Sequence, residues 1–417
     1  MRILFLTQWF DPEPGALRGL PLARWLVQRG HEVEVVTGFP NYPSGKIYPG
    51  YRMRLWQRQE MDGVSVLRVP LYPNHDESAV RRIVNYGSFA LSAASLGTSL
   101  IGKADVGFVY HPPATVGFPA MVLKRLRSVP FIYHIADMWP ESVVESGMIG
   151  NGKKRRAVES LLSKWCKMVY RDARAITVLS PGFKQLLIER GVPADKIHII
   201  YNWADDVFEP MPKDEALAEE LGLKGYFNIV YAGNMGAFQG LETVINAASR
   251  LKHIPEIQFV LIGTGQKEDE LKTLAQERGL SNVRFLGRRQ FWEMPKINSL
   301  ADVLLVHLKD FPFFSSTIPS KTQVSLASGR PVLMAVRGDA ADVINRAGAG
   351  LACQPESEEE LAEAVLKLFK MERSQLESMG ARGREFYLNE MSLEIGGAHM
   401  ETLLREVSGH RANGNGR

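Results

Sequence analysis

Short β-rich apolar runs alternate with stretches of helical spacing along this chain, and the alternation runs its course twice. Arg2 to Thr7 is the first run; after a Pro/Gly loop, Leu20 to Gln28 has helical periodicity and His31 to Thr37 reads as a strand again. Val64 to Val69, Val106 to Tyr110, Phe131 to His134 and Ala175 to Leu179 continue the series. It restarts at Phe227 to Ala232, followed by the amphipathic Gly240 to Leu251, the strand Gln258 to Ile262 and the helix Glu268 to Arg278. Val283 to Leu286, Val303 to His307 and Val332 to Ala335 complete it. Strands separated by helices cannot pair as hairpins, so the pattern predicts parallel sheets covered on both faces, that is, two doubly wound α/β domains with ligands bound between them.

Length agrees, since 417 residues with 45% hydrophobic content exceed what one core serves. The proline-broken, acidic stretch Asn202 to Leu223 reads as the connection, with an N-terminal domain over 1–208 and a C-terminal domain over 209–388. A helix within 389–407 is expected to pack back toward the first domain, and the Gly/Asn/Arg-rich 408–417 to form a disordered tail. A net charge of +4 is too small for a nucleic-acid partner. Cys166 and Cys353 stand far apart, which fits a reducing compartment, and no His/Cys group or Asp-x-Asp motif suggests a metal. The opening MRILFLTQWF turns polar at Asp11, unlike a secretory signal, so the expectation is a cytoplasmic protein. Ile83 to Gly102 is apolar in bias but broken by Asn85, serines and glycines, which suits a surface helix, on the sheet or on a membrane, better than a spanning one.

The sharpest chemical signal lies where the strand ending at Ala232 runs into Gly233-Asn234-Met235-Gly236, then Gln239-Gly240-Leu241-Glu242 at a helix start. Such a turn lets main-chain N–H groups and a helix N-terminus face an anion, as in diphosphate sites of doubly wound folds. Further on come Leu261-Ile262-Gly263-Thr264-Gly265, Val283 to Gly287, Ala301-Asp302-Val303, Ile318-Pro319-Ser320-Lys321 and Ala327 to Val332. In that order, and with Leu179 to Gly182, Gly191 to Ile197 and Tyr201 to Asp205, they resemble the family-4 retaining glycosyltransferases of the GT-B fold. The resemblance covers nearly the whole chain and extends to bacterial enzymes of O-antigen, capsule and exopolysaccharide assembly, fucosamine-type transferases among them.

The resemblance implies a nucleotide-sugar substrate and no cofactor. The donor is expected to be a UDP-sugar, with an N-acetylated amino sugar as one form. Its base would lie near Leu286 to Arg288 and its diphosphate near Gly233, Asn234 and Gly236, beside Gln239 and Lys321. Lys321 and His134 would be the catalytic residues, Gly15 and Ala16 would approach the sugar phosphate, with Arg18 nearby, and Asp137 and Glu141 would face the acceptor. His134 ends an apolar strand, where α/β sheets place ligand-facing groups. Where the family carries two glutamates eight positions apart, the second on the donor ribose, this chain has Ser316 and Val324, which leaves Gln323, Lys321 or main-chain groups to take their place. The acceptor is expected to be a saccharide or polyprenyl-linked sugar. Arg81, Arg82 and the run Lys153 to Arg156 would hold the protein peripherally on the anionic inner face of the membrane. Two rival readings are a nucleotide-sugar epimerase of the same architecture and a non-catalytic partner subunit that has lost the glutamates.

Overall fold

The structure, a computed structural model, describes residues 1–14, 19–76, 78–145 and 153–409. It forms two compact units: Met1–Tyr201 joined by the residues from Gly396 on, and Asn202–Ile395. The chain returns to the first unit within helix Leu393–Ser408. There Gly397 abuts the Trp25 ring and Glu401 lies 2.9 Å from His31 Nε2.

In the first unit, strands β1 (Arg2–Leu6), β2 (Glu32–Gly38), β3 (Gln57–Met61), β4 (Val64–Val69), β5 (Val106–His111), β6 (Phe131–Ile135), β7 (Ala175–Val178) and β8 (Ile197–Ile199) form one sheet. Among the described residues its order is β3-β4-β2-β1-β5-β6-β7-β8, parallel throughout except for β3 against β4. Buried strands of a parallel sheet need apolar side chains on both faces, which is why β1, β5 and β6 read as unbroken apolar runs. β3, with the sequence QRQEM, is an edge strand of alternating exposure that carries no apolar signal. The sequence pattern missed it, together with β8 and a strand of the second unit, Gly350–Ala352, whose three residues each are held by their neighbours and not by propensity.

The second unit contains β9 (Phe227–Ala232), β10 (Ile257–Ile262), β11 (Val283–Gly287), β12 (Val303–His307), β13 (Val332–Ala335) and β14 (Gly350–Ala352). Among the described residues their order is β11-β10-β9-β12-β13-β14, all parallel. One face buries Val244, Leu251, Leu361 and Leu368 from two helices, and the other Leu221, Ile297 and Leu300. Helix ends follow the local chemistry: the Ser357 hydroxyl accepts from Glu360 N ahead of Glu358–Phe369, which opens on three glutamates, and Gly348 stops Asp339–Ala347 at φ +56°.

The apolar segment expected on a surface is helix Ala79–Ser92, continued by a π-helical turn Ala93–Gly97. Phe89, Ala90 and Ala93 pack inward, while Asn85 is buried between the Gln8 amide and the Tyr72 carbonyl, 2.6 Å from each. Val80, Ile83, Val84 and Leu91 are exposed. Among the described residues no helix is long and apolar enough to cross a membrane. Of the tail expected to be disordered, Ser408 closes the last helix and residues 410–417 lie outside the described residues.

Candidate functional site

In the second sheet β9 and β12 are neighbours, and from this pair the chain winds outward in opposite directions. Loops leaving the carboxyl ends of two such strands part company and leave a crevice, the place where doubly wound sheets bind ligands. A cavity of about 610 Å³ opens there, lined by Gly233 and Asn234 after β9, Gly263 after β10 and Lys321 of helix Ser320–Ala327.

The turns are built on glycine for a steric reason. Gly233 and Gly263 have φ of +152° and +128°, and a β-carbon on Gly263 would stand 1.9 Å from the Gly233 carbonyl oxygen. Main chain therefore touches main chain, and a β-carbon on Gly233 would stand 2.5 Å from Lys321 Cε.

Lys321 enters beneath these turns. Its ammonium donates to Gln239 Oε1 at 2.7 Å and lies 4.9 Å from the centre of the Tyr231 ring. The Tyr231 hydroxyl is 2.9 Å from the same Gln239 oxygen and 2.7 Å from the Asn234 carbonyl. His307, at the end of β12, lies with Nδ1 2.7 Å from the Gln239 main-chain carbonyl and so steadies the turn from below. Burial pushes the Lys321 ammonium down to about 8, because no carboxylate among the described residues pairs with it. Arg288 and Arg289 add positive charge at the rim, and none of the described residues lining the cavity is Asp or Glu. Such a cavity suits a small, multiply charged anion with an apolar appendage: Val230, Leu304, Phe208 and Phe291 are in the apolar part of the wall.

The structure thus gathers Gly233, Asn234, Arg288 and Lys321 around one cavity, with Gln239 directly behind Lys321. Gly236, Leu286 and Gln323 do not line it. Leu286 packs toward the Ile262–Ile297 core, and Gln323, 1% exposed, reaches the Pro319 and Ser320 carbonyls of its own helix start when its amide nitrogen faces them. Val324 does line the cavity, whereas Ser316 ends a 3-10 turn outside it. Tyr231, His307 and Asn298 were not legible as site residues, because nothing in their local sequence distinguishes them from core positions.

In the first unit His134 is fully buried inside the sheet. Its Nδ1 lies 2.9 Å from Thr177 Oγ1 and its ring stacks 5.2 Å from Tyr110, so the imidazole is shielded from solvent. Asp137, just past β6, is pushed up to about 6 by burial, against hydrogen bonds from Ser142 and the Met138 N–H. Glu141 is engaged by Arg190, which also donates to the Trp139 carbonyl at 2.9 Å. Gly15, Ala16 and Arg18 lie outside the described residues. No group of three or more His, Cys, Asp or Glu among the described residues is spaced to hold a metal.

Two family models match the chain in turn: a glycosyl transferase 4-like domain over residues 18–203 and glycosyl transferases group 1 over 213–386. WcaI of Escherichia coli K12, named as a colanic acid biosynthesis glycosyl transferase, is 30% identical over 349 residues, covering 80% of this chain and 83% of that protein. WbjE of Pseudomonas aeruginosa, named as a glycosyltransferase, is 27% identical over 74% of this chain and 77% of its own. Among solved structures, sucrose-phosphate synthase of Thermosynechococcus elongatus superposes with a TM-score of 0.71 at 17% identity, covering 98% of this chain and all of that one. Anabaena HepE, crystallised with UDP-glucose, gives 0.70 at 16% identity, covering 97% of this chain and all of its own. The matched models and the Escherichia coli relative make this a sugar-transferring enzyme built on two Rossmann-like sheets. The chain belongs to the family-4 retaining glycosyltransferases of the GT-B fold.

Proposed function

We propose that the cavity of the second unit binds the diphosphate of a nucleotide-sugar, and that the enzyme passes the sugar to a saccharide or polyprenyl-linked acceptor in bacterial surface polysaccharide assembly. One observation carries the donor assignment: Lys321 is a half-buried cation that meets, among the described residues, a neutral amide and a tyrosine ring but no carboxylate, at a crevice lined by main chain. Charge grows on the diphosphate as the bond from the sugar C1 to its oxygen breaks, and Lys321 with the nearby N–H groups is placed to stabilise it. HepE, whose structure is titled as a complex with UDP-glucose, and WcaI, named for colanic acid biosynthesis, support the donor class and the polysaccharide setting. The first unit then has the acceptor side, where Asp137 is a half-buried carboxyl whose pKa burial raises to about 6. A panel of nucleotide-sugars screened for thermal stabilisation tests the donor reading, with UDP-sugars expected to raise Tm most. Release of nucleotide only when acceptor is added separates transfer from epimerisation.

Peripheral attachment to an anionic membrane surface belongs to the same reading. Val80, Ile83, Val84 and Leu91 present an exposed apolar stripe beside Arg81 and Arg82, and helix Lys153–Asp172 opens on the basic run. Flotation with anionic vesicles should weaken as salt rises, because exposed charges are screened over about 10 Å at 0.1 M; equal flotation with neutral vesicles would count against it.

A further inference from the structure

Helix Ser320–Ala327 joins two hollows of the second unit. Lys321, in its first turn, lines the cavity at the carboxyl ends of the strands; Ser328 and Gly329, just past its end, line another of about 640 Å³. This second cavity lies at the opposite edge of the sheet, for Asp302 and Pro331, which also line it, stand immediately before β12 and β13. The facing wall is helix Arg373–Phe386, which comes close because Gly380 lacks a side chain: a β-carbon there would stand 2.2 Å from the Gly329 carbonyl oxygen. Arg373, Glu377, Ala381 and Arg384 follow one another at helical spacing along the cavity wall, and Ala381 is small enough to leave the middle of that wall hollow.

The charges around this hollow are unevenly matched. Asp302 accepts from Lys213 at 2.6 Å and from the Asn228 N–H at 2.8 Å, and Glu377 pairs with Arg373 at 3.0 Å. Glu385, the remaining carboxylate of the wall, is exposed. Arg330 and Arg384, both half-buried, meet main-chain carbonyls and no carboxylate at salt-bridge distance among the described residues. Arg330 donates through Nη2 to Met211 at 2.8 Å; Arg384 donates through Nη1 to Phe208 at 3.2 Å and to Ala327 at 2.8 Å. The Nε and the other terminal nitrogen of each guanidinium have no acceptor among the described residues and are not sealed from solvent. Guanidinium forks with N–H groups to spare fit the oxygens of a phosphate. Met211, Pro331, Leu376 and Leu388 give the same cavity apolar surface, so an organic phosphate fits it better than the inorganic ion.

We propose that this cavity is a second binding site, taking a small organic phosphate on Arg330 and Arg384, and that its occupant tightens nucleotide binding at the far end of helix Ser320–Ala327. Arg384 is the link. Its Nη1 holds the carbonyl of Ala327, the last residue of the helix that carries Lys321, and that of Phe208, which lines the first cavity. A phosphate that fixes this guanidinium orders both before the nucleotide arrives, and by linkage the nucleotide favours the phosphate in return. The coupling rests on the donor reading above; the second site does not.

Calorimetry on the full chain with phenyl phosphate and inorganic phosphate tests the site. Phenyl phosphate should still bind the Lys321→Ala protein, whose first cavity has lost its cation, and about tenfold tighter than inorganic phosphate, because its ring reaches the apolar wall. In that background Arg330→Gln should weaken it by about tenfold or more, and Ala381→Leu, which keeps every charge and fills the hollow, should abolish it. Absence of binding to Lys321→Ala overturns the inference, as do equal affinities for the two phosphates or unchanged binding in the Ala381→Leu protein. Ala381 is an exposed helix position, so this variant decides the matter even where Arg330→Gln melts early. For the coupling, UDP should bind the wild type about fivefold tighter with phenyl phosphate present, a gain missing in Ala381→Leu. UDP binding that is weakened or unmoved overturns the coupling. UDP that binds under no condition removes the donor reading and the coupling with it, while the phenyl phosphate result stands on its own.

Discussion

At the carboxyl edge of the first sheet, aromatic rings crowd the loops that follow the strands, whereas the same edge of the second sheet is built of glycines around a cation. In the first unit Trp9 lies 4.9 Å from Tyr42 and 6.3 Å from Tyr86, and Trp139 meets His111 at 5.6 Å. In the second, Gly233 and Gly263 touch through their backbones above Lys321. In both sheets the first strand has the second on one side and a later strand, β5 or β12, on the other. The topology splays the loops at this point in each sheet, and the loop residues set the two edges apart: main chain and charge suit an anion, ring faces an apolar surface.

The largest expected effect breaks the second edge chemically. Lys321→Ala should lower kcat/KM by about 100- to 1,000-fold, or roughly 3–4 kcal/mol, as for loss of one preorganised charge-stabilising group. Its melting temperature should not fall, since the lysine is buried at a desolvation cost. An unchanged rate in an acceptor-dependent nucleotide-release assay would take Lys321 out of the mechanism.

Next comes a steric contrast between the two units. Gly263→Ala places a β-carbon 1.9 Å from the Gly233 carbonyl, and should cost about 2–4 kcal/mol of stability and abolish nucleotide binding. Gly30→Ala in the first unit has φ +81° but nothing within 4 Å, so only the left-handed backbone is penalised, by about 1–2 kcal/mol. Equal melting shifts for the two variants would show that contact between the turns does not matter.

A third test uses pH. Diphosphate binding favours charged Lys321, which in the free protein loses its proton near 8. UDP affinity should be level below that pH and fall by up to about tenfold per unit above it, until the bound lysine titrates too. The added fall should be missing in Lys321→Met, and a wild-type curve that stays level from pH 7 to 9.5 would contradict the assignment.

The smallest effect lies in the first unit. Asp137 has a folded pKa raised to about 6 by burial, so between its ordinary 3.8 and that value the folded state holds more protons than the unfolded one. Its contribution to stability therefore falls as pH rises through this window, the reverse of an ion-paired carboxylate. Asp137→Asn should gain about 1 kcal/mol relative to wild type on going from pH 4 to pH 7, read from urea midpoints. A constant difference would mean the carboxyl is better solvated than its place suggests.

The alternation of apolar runs and helical stretches was enough to specify two parallel-sheet units, because strand burial and helix amphipathicity are periodic and local. The glycine turn after β9 was legible for the same reason, since a tight strand-to-helix turn is a short-range geometry, whereas Lys321 was marked only by the family resemblance. Which side chains border the cavity was not. Gln323 and Val324 are adjacent on one helix, and only its packing turns the first toward Pro319 and the second toward the ligand space. His134 ends an apolar strand as a ligand-facing residue should, yet the rings of Phe108 and Tyr110 bury it. Asn298 and His307 meet partners at distant positions, Ser328 and Gln239. Sequence carries the periods of single elements, whereas the lining of a site depends on how elements far apart in the chain pack, and that contact is made only in the folded protein.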